Sequence, residues 1–502
     1  MKRHSVVCLV AFAILCPATC PLAAPAPAPV GVTREWSGAG GNAAWSNPAN
    51  WVGNNVAGNG TFVNFPSSAS AFTVVRDSTI NLIGIEFLSG ANGYQISGAG
   101  MPVDQNITQA VGAGSNTITA PISFTGFGTS SKRIEVAAGT LSLGNVVLPG
   151  SAATLDVGIN SGATCLINGS IGGSAQRLDF FGGGFTRLGM TSTFDAPVSV
   201  QFSHILMLAS GVVLNTAQPW TVGTDARVVM ETGSAITSEL RLDGDAVLWL
   251  RAPASSGSAA AQSLVLHPDA SVWFEIGSAG ESNRLVTLGA NGPNLANAAL
   301  AVVPTGGFTS STGTQLSVID PAWGTVLGEF AGLPEGGALA ASNGRVYQIS
   351  YHGGDGNAVV LTDNPDAADV SMQLRRQQPI DPSLVGLGDA STVEIGLHFH
   401  NSRPAPADLA ISLQSLSGLG NLVWECQTSV GACSVSNGTG SPQTSISDLP
   451  TGATASIRVT GLTRLADRFL RVQAQAQIDG ETQSRTWSEP LDNSGVFRDS
   501  FE

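Results

Sequence analysis

Short strand-like segments recur throughout residues 61–362, and in many of them apolar residues alternate with polar ones such as Ser, Thr, Asn or Asp. Examples are residues 132–136 (KRIEV), 153–157 (ATLDV) and 246–250 (AVLWL). Gly, Asn, Ser and Pro separate these segments, and apolar residues at helical spacing are almost absent. Alternation with a period of two residues buries one face of a strand and leaves the other in water. The pattern therefore predicts an all-β chain of many short strands.

The connections between these strands restrict the fold further. Parallel strands need either crossover helices or a coil in which each turn pairs with the next. Since the pattern offers no crossover helices, we predict a right-handed parallel β-solenoid (β-helix) over residues 33–363. A set of β-sandwiches is the alternative, but it would not need so long a stretch of one pattern.

The pattern changes after residue 364, where about seven short alternating segments follow. That number of short strands is typical of a β-sandwich. We predict an Ig-like β-sandwich over residues 367–493, followed by a tail of residues 494–502.

The first residues have the composition of a targeting segment. Residues 2–4 (KRH) are basic, residues 6–16 are apolar but too short to span a membrane, and small residues follow. We predict a signal peptide over residues 1–24, an Ala/Pro-rich spacer over residues 25–32, and export to the outer cell surface or the extracellular medium.

The charge balance limits the partners. The 22 Lys and Arg residues against 36 Asp and Glu residues give a formal net charge of −14. Nucleic acids and anionic membranes attract basic surfaces, so neither is an expected partner. After the N-terminal segment no apolar run is long enough to span a membrane. An extracellular glycan or a surface protein remains as the expected partner.

Three cysteines lie beyond the predicted signal peptide. Cys426 and Cys433 are seven positions apart, and export supplies the oxidising compartment, so we predict a disulfide between them. Two independent thiols are the alternative. Cys165 lies in a strand-like segment and is expected to be a buried, inert thiol rather than a reactive one.

Candidate metal ligands are few. His398 and His400 fall on one face of a predicted strand, where we favour solvent-exposed strand residues over a metal site. Asp243 and Asp245 could form a weak ion site, although we favour a polar turn between Leu242 and Val247 as the explanation. We predict neither a bound metal nor a cofactor.

The sequence carries few residues for catalysis. Arg241 and Arg251 flank the Asp243–Asp245 pair, and Lys132 is the single lysine after the predicted signal peptide. The motifs of serine hydrolases, zinc proteases and P-loop enzymes are absent. We therefore predict no catalytic site. A polysaccharide lyase or hydrolase is the alternative, because β-solenoids host such enzymes.

Two segments resemble a known family. Trp36, Trp45 and Trp51 fall in a W-x-G…W-S…N-W pattern, and FVNF follows at residues 62–65. The far end has the closing motif EFAGLPEG at residues 329–336 and YHGGDGNAVVLT at residues 351–362. Together they resemble the two ends of autotransporter-associated β-strand repeat proteins, the passenger-type β-helix proteins of Gram-negative bacteria. The motif residues are Phe330, Leu333, Pro334, Glu335, Gly336, Tyr351, Gly353, Gly354, Asp355, Gly356 and Asn357.

Both ends have a physical role in such a solenoid. Terminal turns expose core and unpaired backbone, so they need caps. The three tryptophans would supply an apolar plug, or alternatively a platform on which sugars stack. The glycines of the closing turn permit positive φ angles where strands reverse.

The second domain resembles the Ig-like repeat modules of bacterial surface proteins. The features that carry this resemblance are the ADVS segment at residues 368–371, the W-x-C-x₆-C spacing and Asp492-Asn493. Residues 496–502 (VFRDSFE) resemble the F-x-x-G-F-E terminus of some secreted proteins. Too few residues follow Thr362 for a translocator barrel, which we do not expect. These features predict a secreted or cell-surface, adhesin-like structural β-helix protein, with a polysaccharide-binding or polysaccharide-degrading β-helix as the alternative.

Overall fold

The structure is a computed structural model of the chain. It describes residues 31–125, 131–252, 255–305, 308, 310–331, 333–341, 345–364, 370–376, 392–401, 405–450, 453–463, 469–478 and 481–490. The predicted signal peptide, nearly all of the spacer, the predicted domain boundary at residue 367 and the predicted tail lie outside the described residues.

Short strands follow one another from Val32 to Asp363, with two 3₁₀ helices, Pro48–Asn50 and Val52–Asn54, after the first. The strands are β1 (Val32–Glu35), β2 (Thr61–Phe65), β3 (Thr73–Arg76), β4 (Leu82–Phe87), β5 (Gln95–Gly98), β6 (Met101–Gln109), β7 (Ser115–Ile118), β8 (Ile122–Phe124), β9 (Lys132–Val136), β10 (Thr140–Leu143), β11 (Val146–Val147), β12 (Gly150–Ile159), β13 (Thr164–Ile167), β14 (Ile171–Phe181), β15 (Phe185–Leu188), β16 (Ser192–Asp195), β17 (Val198–Val200), β18 (Ile205–Leu208), β19 (Val213–Asn215), β20 (Trp220–Val222), β21 (Arg227–Glu231), β22 (Ala235–Leu242), β23 (Val247–Arg251), β24 (Gly257–Leu266), β25 (Ser271–Ile276), β26 (Asn283–Thr287), β27 (Ala299–Pro304), β28 (Gln315–Pro321), β29 (Ala338–Ala340), β30 (Val346–Gly353) and β31 (Ala358–Asp363).

These strands stack into a parallel β-solenoid of about ten turns, as the sequence predicts. They form a larger sheet, sheet 1, and an 11-stranded sheet, sheet 2, in which β3 lies at one end and β27 at the other. Register partners on adjacent turns of sheet 2 are 20 to 28 residues apart, as Phe185 with Ile205 and Ser271 with Ala299. Each turn therefore consumes a variable number of residues.

Inward side chains stack in columns through the solenoid. One column consists of register partners that are all buried: Ile96, Ile118, Leu143, Ile167, Leu188, Leu208, Met230, Leu250, Phe274 and Val302. Burial stabilises each such side chain by roughly 1.5–3 kcal/mol relative to exposure. The apolar member of each alternating pair supplies this core.

Parallel stacking stops at β28. This strand pairs with β31 in the antiparallel direction, and β31 in turn pairs antiparallel with β30, which pairs with β29. The end of sheet 1 is thus covered by reversed strands rather than by another parallel turn.

A second set of strands forms two antiparallel sheets, as the predicted Ig-like sandwich requires. Sheet order is β32-β33-β38-β35-β36 in one and β37-β34-β39-β40 in the other. The strands are β32 (Val370–Arg376), β33 (Thr392–Asn401), β34 (Ala407–Ser417), β35 (Leu419–Thr428), β36 (Asn437–Thr439), β37 (Gln443–Leu449), β38 (Thr454–Thr463), β39 (Phe469–Ile478) and β40 (Glu481–Pro490). These described strands outnumber the predicted seven, because β36 and β40 are too polar to show apolar alternation.

Candidate functional site

The three N-terminal tryptophans form one buried cluster on the first turns. The ring centroids of Trp36 and Trp51 are 5.3 Å apart, and those of Trp45 and Trp51 are 4.7 Å apart, both edge to face. Each indole N–H donates to a backbone carbonyl, as Trp51 does to the oxygen of Trp45 at 2.7 Å. All three are at most 2% exposed, so they have no open ring face on which a sugar could stack.

The first part of the closing motif is held together by one tyrosine. The Tyr351 hydroxyl donates to the carbonyl of Leu333 at 2.6 Å and accepts the N–H of Phe330 at 2.8 Å. The backbone N–H of Tyr351 donates to the Glu335 carboxylate at 2.7 Å. Burial is the main reason that the pKa of Tyr351 is raised. Pro334 and Gly336 complete the turn between Leu333 and β29, and Gly336 has a φ of +75°.

The second part of the motif is the tight turn between β30 and β31, residues 353–357. Gly354 and Gly356 have φ values of +59° and +99°, where a side chain would be strained. Asn357 donates its amide hydrogens to the carbonyl of Pro321 at 3.0 Å and to that of Gly324 at 3.1 Å. The turn is therefore tied to the end of β28. Gly353 and Asp355 complete it.

The cysteines differ in environment. Cys426, on β35, is joined to Cys433 by a disulfide, with 6.3 Å between their Cα atoms. Cys165 is a fully buried free thiol whose strand neighbours in register are Leu141 and Thr186. Burial raises the pKa of Cys165 to about 12, so it stays a thiol at neutral pH.

The other candidates from the sequence are separated. His398 and His400 are on β33, and their side chains lie outside the described residues. Asp243 pairs with Arg241 at 3.2 Å, whereas Asp245 accepts the backbone N–H of Asp225 at 2.7 Å. These interactions are those of a polar turn.

Arg251 belongs to a different group of charges. Its guanidinium lies 3.2 Å from the Glu231 carboxylate and 3.8 Å from that of Glu275. Within the described residues, no group of three or more His, Cys, Asp or Glu side chains is arranged to hold a metal.

Sequence reasoning missed a row of charges on the outer face of sheet 1, here called the charge ladder: Arg133, Glu135, Asp156, Arg177 and Asp179. Arg133, Asp156 and Asp179 are register partners on three successive turns. Adjacent strands are ~4.8 Å apart, so the two aspartates are close neighbours. Arg177 contacts Asp179 at 2.6 Å, and Arg133 contacts Glu135 at 3.3 Å.

Burial perturbs the carboxyls of the ladder. It raises the pKa of Asp156, while Arg133 and Arg177 act in the opposite direction. It also raises the pKa of Asp179, where Arg177 lowers it and Asp156 raises it further. Two carboxyls with raised pKa values on adjacent turns are candidate binding or acid–base groups.

A periodicity in the sequence could have found this ladder. Arg133, Asp156 and Asp179 recur at intervals of 23 residues, each next to apolar residues that point inward. The spacing varies along the solenoid, so the interval is visible only once the turns are aligned.

No protein-family model matches the chain, and no curated protein matches it. In the described part of the chain, no helix is both long enough and apolar enough to cross a membrane.

Proposed function

We propose that the protein is a secreted or cell-surface structural or adhesive β-helix protein without catalytic activity. One observation carries the proposal: the tryptophan cluster fills one end of the solenoid, and the reversed strands β29–β31 close sheet 1 at the other end. Covered ends block addition of further strands, so the long sides are the surface available to a partner.

The sides support an adhesive role through the charge ladder. Asp156 and Asp179 supply acceptors, and Arg133 and Arg177 supply donors, at the repeat distance of neighbouring strands. A glycan, with hydroxyls along its length, or a polar protein surface fits such a row. Nucleic acid does not fit a chain with a net charge of −14.

The second candidate function is polysaccharide degradation. The observation that favours it is the adjacent pair Asp156 and Asp179, since glycosidases use two neighbouring carboxyls. The ion pair of Asp179 with Arg177 at 2.6 Å weighs against it, because that carboxylate is already bound.

A paired assay tests the two candidates. The exported chain is applied to a glycan array and, separately, to soluble polysaccharides analysed for oligosaccharide release. We expect binding without release, and weaker binding after Asp156→Asn with Asp179→Asn. The matched control is Asp243→Asn, another aspartate paired with an arginine, which should bind as the unchanged chain does. Release that the double substitution abolishes would establish the enzymatic function instead.

We further propose that the chain is related to autotransporter-associated β-strand repeat proteins and is exported through residues 1–24. The hydrogen bonds by which Tyr351 joins the two halves of the closing motif support this relationship. Mass spectrometry of the secreted protein tests the export step: its first residue should fall near Ala24, and a retained Met1 in secreted material would contradict it.

A further inference from the structure

Two phenylalanine side chains lie on the outside of the solenoid next to the charge ladder. Phe181 follows Phe180, which is fully buried in the core, and it shares strand β14 and the outer face of sheet 1 with Asp179. Phe202 is on the next turn, in the loop after β17, and is 60% exposed. Both rings therefore lie outside the buried core of the solenoid.

The ring of Phe181 lies across the preceding turn. Gly158 is its register partner, and a Cβ atom at Gly158 would be 3.0 Å from two carbons of the ring. The guanidinium of Arg133 is 5.6 Å from the centre of the same ring. Contact with the glycine and attraction to the cation hold the ring in one orientation. Phe181 is thus a fixed aromatic ring that is partly exposed at the surface.

The backbone of Phe202 has an unusual conformation. It lies in a turn closed by a hydrogen bond from the N–H of His204 to the carbonyl of Gln201 at 3.3 Å, and its φ is +55°. A bulky residue at positive φ is an outlier. The equivalent turns on the next two levels have Thr224 and Gly244 at this position. Neither the turn nor the core accounts for an aromatic ring here, and strained residues collect at binding sites.

The two rings are neighbours along the solenoid. Phe180 and Val200 are register partners, and the N–H of Gln201 donates to the carbonyl of Phe180 at 2.8 Å. Phe181 therefore lies level with Gln201, and Phe202 is one residue farther along the next turn. The pair forms two aromatic positions on successive turns.

The polar groups beside these rings include donors and acceptors in contact. The guanidinium of Arg177 lies 2.6 Å from the Asp179 carboxylate, and Asp156 is the register partner of Asp179. Aromatic rings next to carboxylates and a guanidinium suit a sugar. Its C–H face packs on an aromatic ring, and each of its hydroxyls both donates and accepts hydrogen bonds.

The charge of the chain selects among sugars. The formal net charge is −14, so an anionic polysaccharide would be repelled. We propose that Phe181 and Phe202 are stacking positions for the sugar rings of an uncharged polysaccharide, whose hydroxyls bond to the charge ladder. This inference rests on the adhesive function proposed above and gives the class of its ligand.

Calorimetric titration of the full chain tests the proposal. The probes are hexasaccharides of glucose, mannose and N-acetylglucosamine, with oligogalacturonate as the anionic probe. We expect a neutral probe to bind more tightly than oligogalacturonate. Phe181→Leu with Phe202→Asn should weaken that binding at least about tenfold, because both rings are lost. Leucine keeps an apolar side chain over Gly158 and asparagine tolerates positive φ, so the double substitution preserves the fold.

A matched control separates stacking from a general effect of removing an exposed aromatic ring. Trp323 is 66% exposed after β28, and Trp323→Ala should bind as the unchanged chain does. Neutral binding that Phe181→Leu with Phe202→Asn leaves undiminished would overturn this inference while the adhesive function stands. Binding confined to oligogalacturonate would do the same. Absence of binding to every glycan would overturn both this inference and the glycan-binding function.

The variant Phe202→Trp reports on the position directly. An indole can stack as the phenyl ring does, so we expect an affinity close to that of the unchanged chain. The added fluorescence should shift to shorter wavelength when the neutral hexasaccharide saturates the protein, relative to the unchanged chain treated in the same way. An unshifted emission at saturation would place the sugar elsewhere and overturn the proposal.

Discussion

Asp156 lies directly opposite Asp179 on the next turn of the solenoid. The charge of Asp156 raises the pKa of Asp179, although burial is the larger cause. Arg177, whose guanidinium contacts Asp179 at 2.6 Å, opposes both effects. The pair therefore couples two turns through charge as well as through backbone hydrogen bonds.

This pair gives the solenoid a pH dependence. Because burial raises the pKa of Asp156, the folded chain keeps a proton that the unfolded chain releases near pH ~4. The stability from this group is present at low pH and is lost as pH rises through the folded-state pKa. Asp156→Asn removes the titration, so we expect a smaller loss of stability between about pH 4 and pH 7.

Denaturant titrations at both pH values measure this change. Asp243→Asn is the control, since Asp243 is a half-exposed turn residue paired with Arg241. It should retain the pH dependence of the unchanged chain. An Asp156→Asn chain with an undiminished pH dependence would contradict the argument.

The tryptophan cluster should be a large contributor to stability. Trp45 is 0% exposed and contacts both Trp51 and Phe65 with its ring. We expect Trp45→Ala to cost about 3–5 kcal/mol of unfolding free energy, because it removes a large buried side chain and leaves a cavity. Trp323→Ala, at a site 66% exposed, should change it by less than about 0.5 kcal/mol. If Trp45→Ala and Trp323→Ala lowered the free energy of urea unfolding equally, the buried tryptophan cluster would not be a major source of stability.

The Tyr351 hydroxyl should hold the closing motif. It bridges the N–H of Phe330 and the carbonyl of Leu333, and Tyr351 is 5% exposed. Tyr351→Phe leaves two buried backbone groups without that partner, at a cost of about 1–3 kcal/mol. Hydrogen exchange should accelerate at the Phe330 amide and stay unchanged at the distant amide of Trp36. Equal acceleration of exchange at the Phe330 and Trp36 amides would mean global destabilisation rather than loss of the local hydrogen bonds of Tyr351.

The fold followed from the sequence because each strand carries its own pattern. Residues 153–157 alternate strictly, and Leu155 and Val157 are buried as that pattern requires. The sandwich was predictable for the same reason, except at polar strands such as β36. That strand has no apolar alternation in its sequence and is recognised only by its antiparallel pairing with β35 in the structure.

The charge ladder cannot be predicted from the pattern of any single strand. It depends on which residues of different turns become neighbours, and in sheet 2 the interval between turns varies from 20 to 28 residues. Trp249 and Trp273 also look like core residues in a single strand, since each follows an apolar neighbour. Only the stacking shows that both point outward.

The predicted domain boundary can be tested with fragments. Residues 30–363 and 367–495 should each be soluble and rich in β structure by circular dichroism, since the solenoid and the sandwich have separate buried clusters. If either fragment aggregates while the full chain does not, the two domains are not independent.

The disulfide and the free thiol should respond differently to reductant. Cys426 and Cys433 are bonded and close a short loop of the sandwich, so reduction should destabilise that domain by no more than about 3 kcal/mol. The solenoid should be unaffected, because its core consists of stacked side chains. Cys165 should resist alkylation until the chain unfolds, since burial raises its pKa to about 12. Peptide mapping without reductant decides this: a cross-link that contains Cys165, or alkylation of Cys426 in the native protein, would refute the assignment.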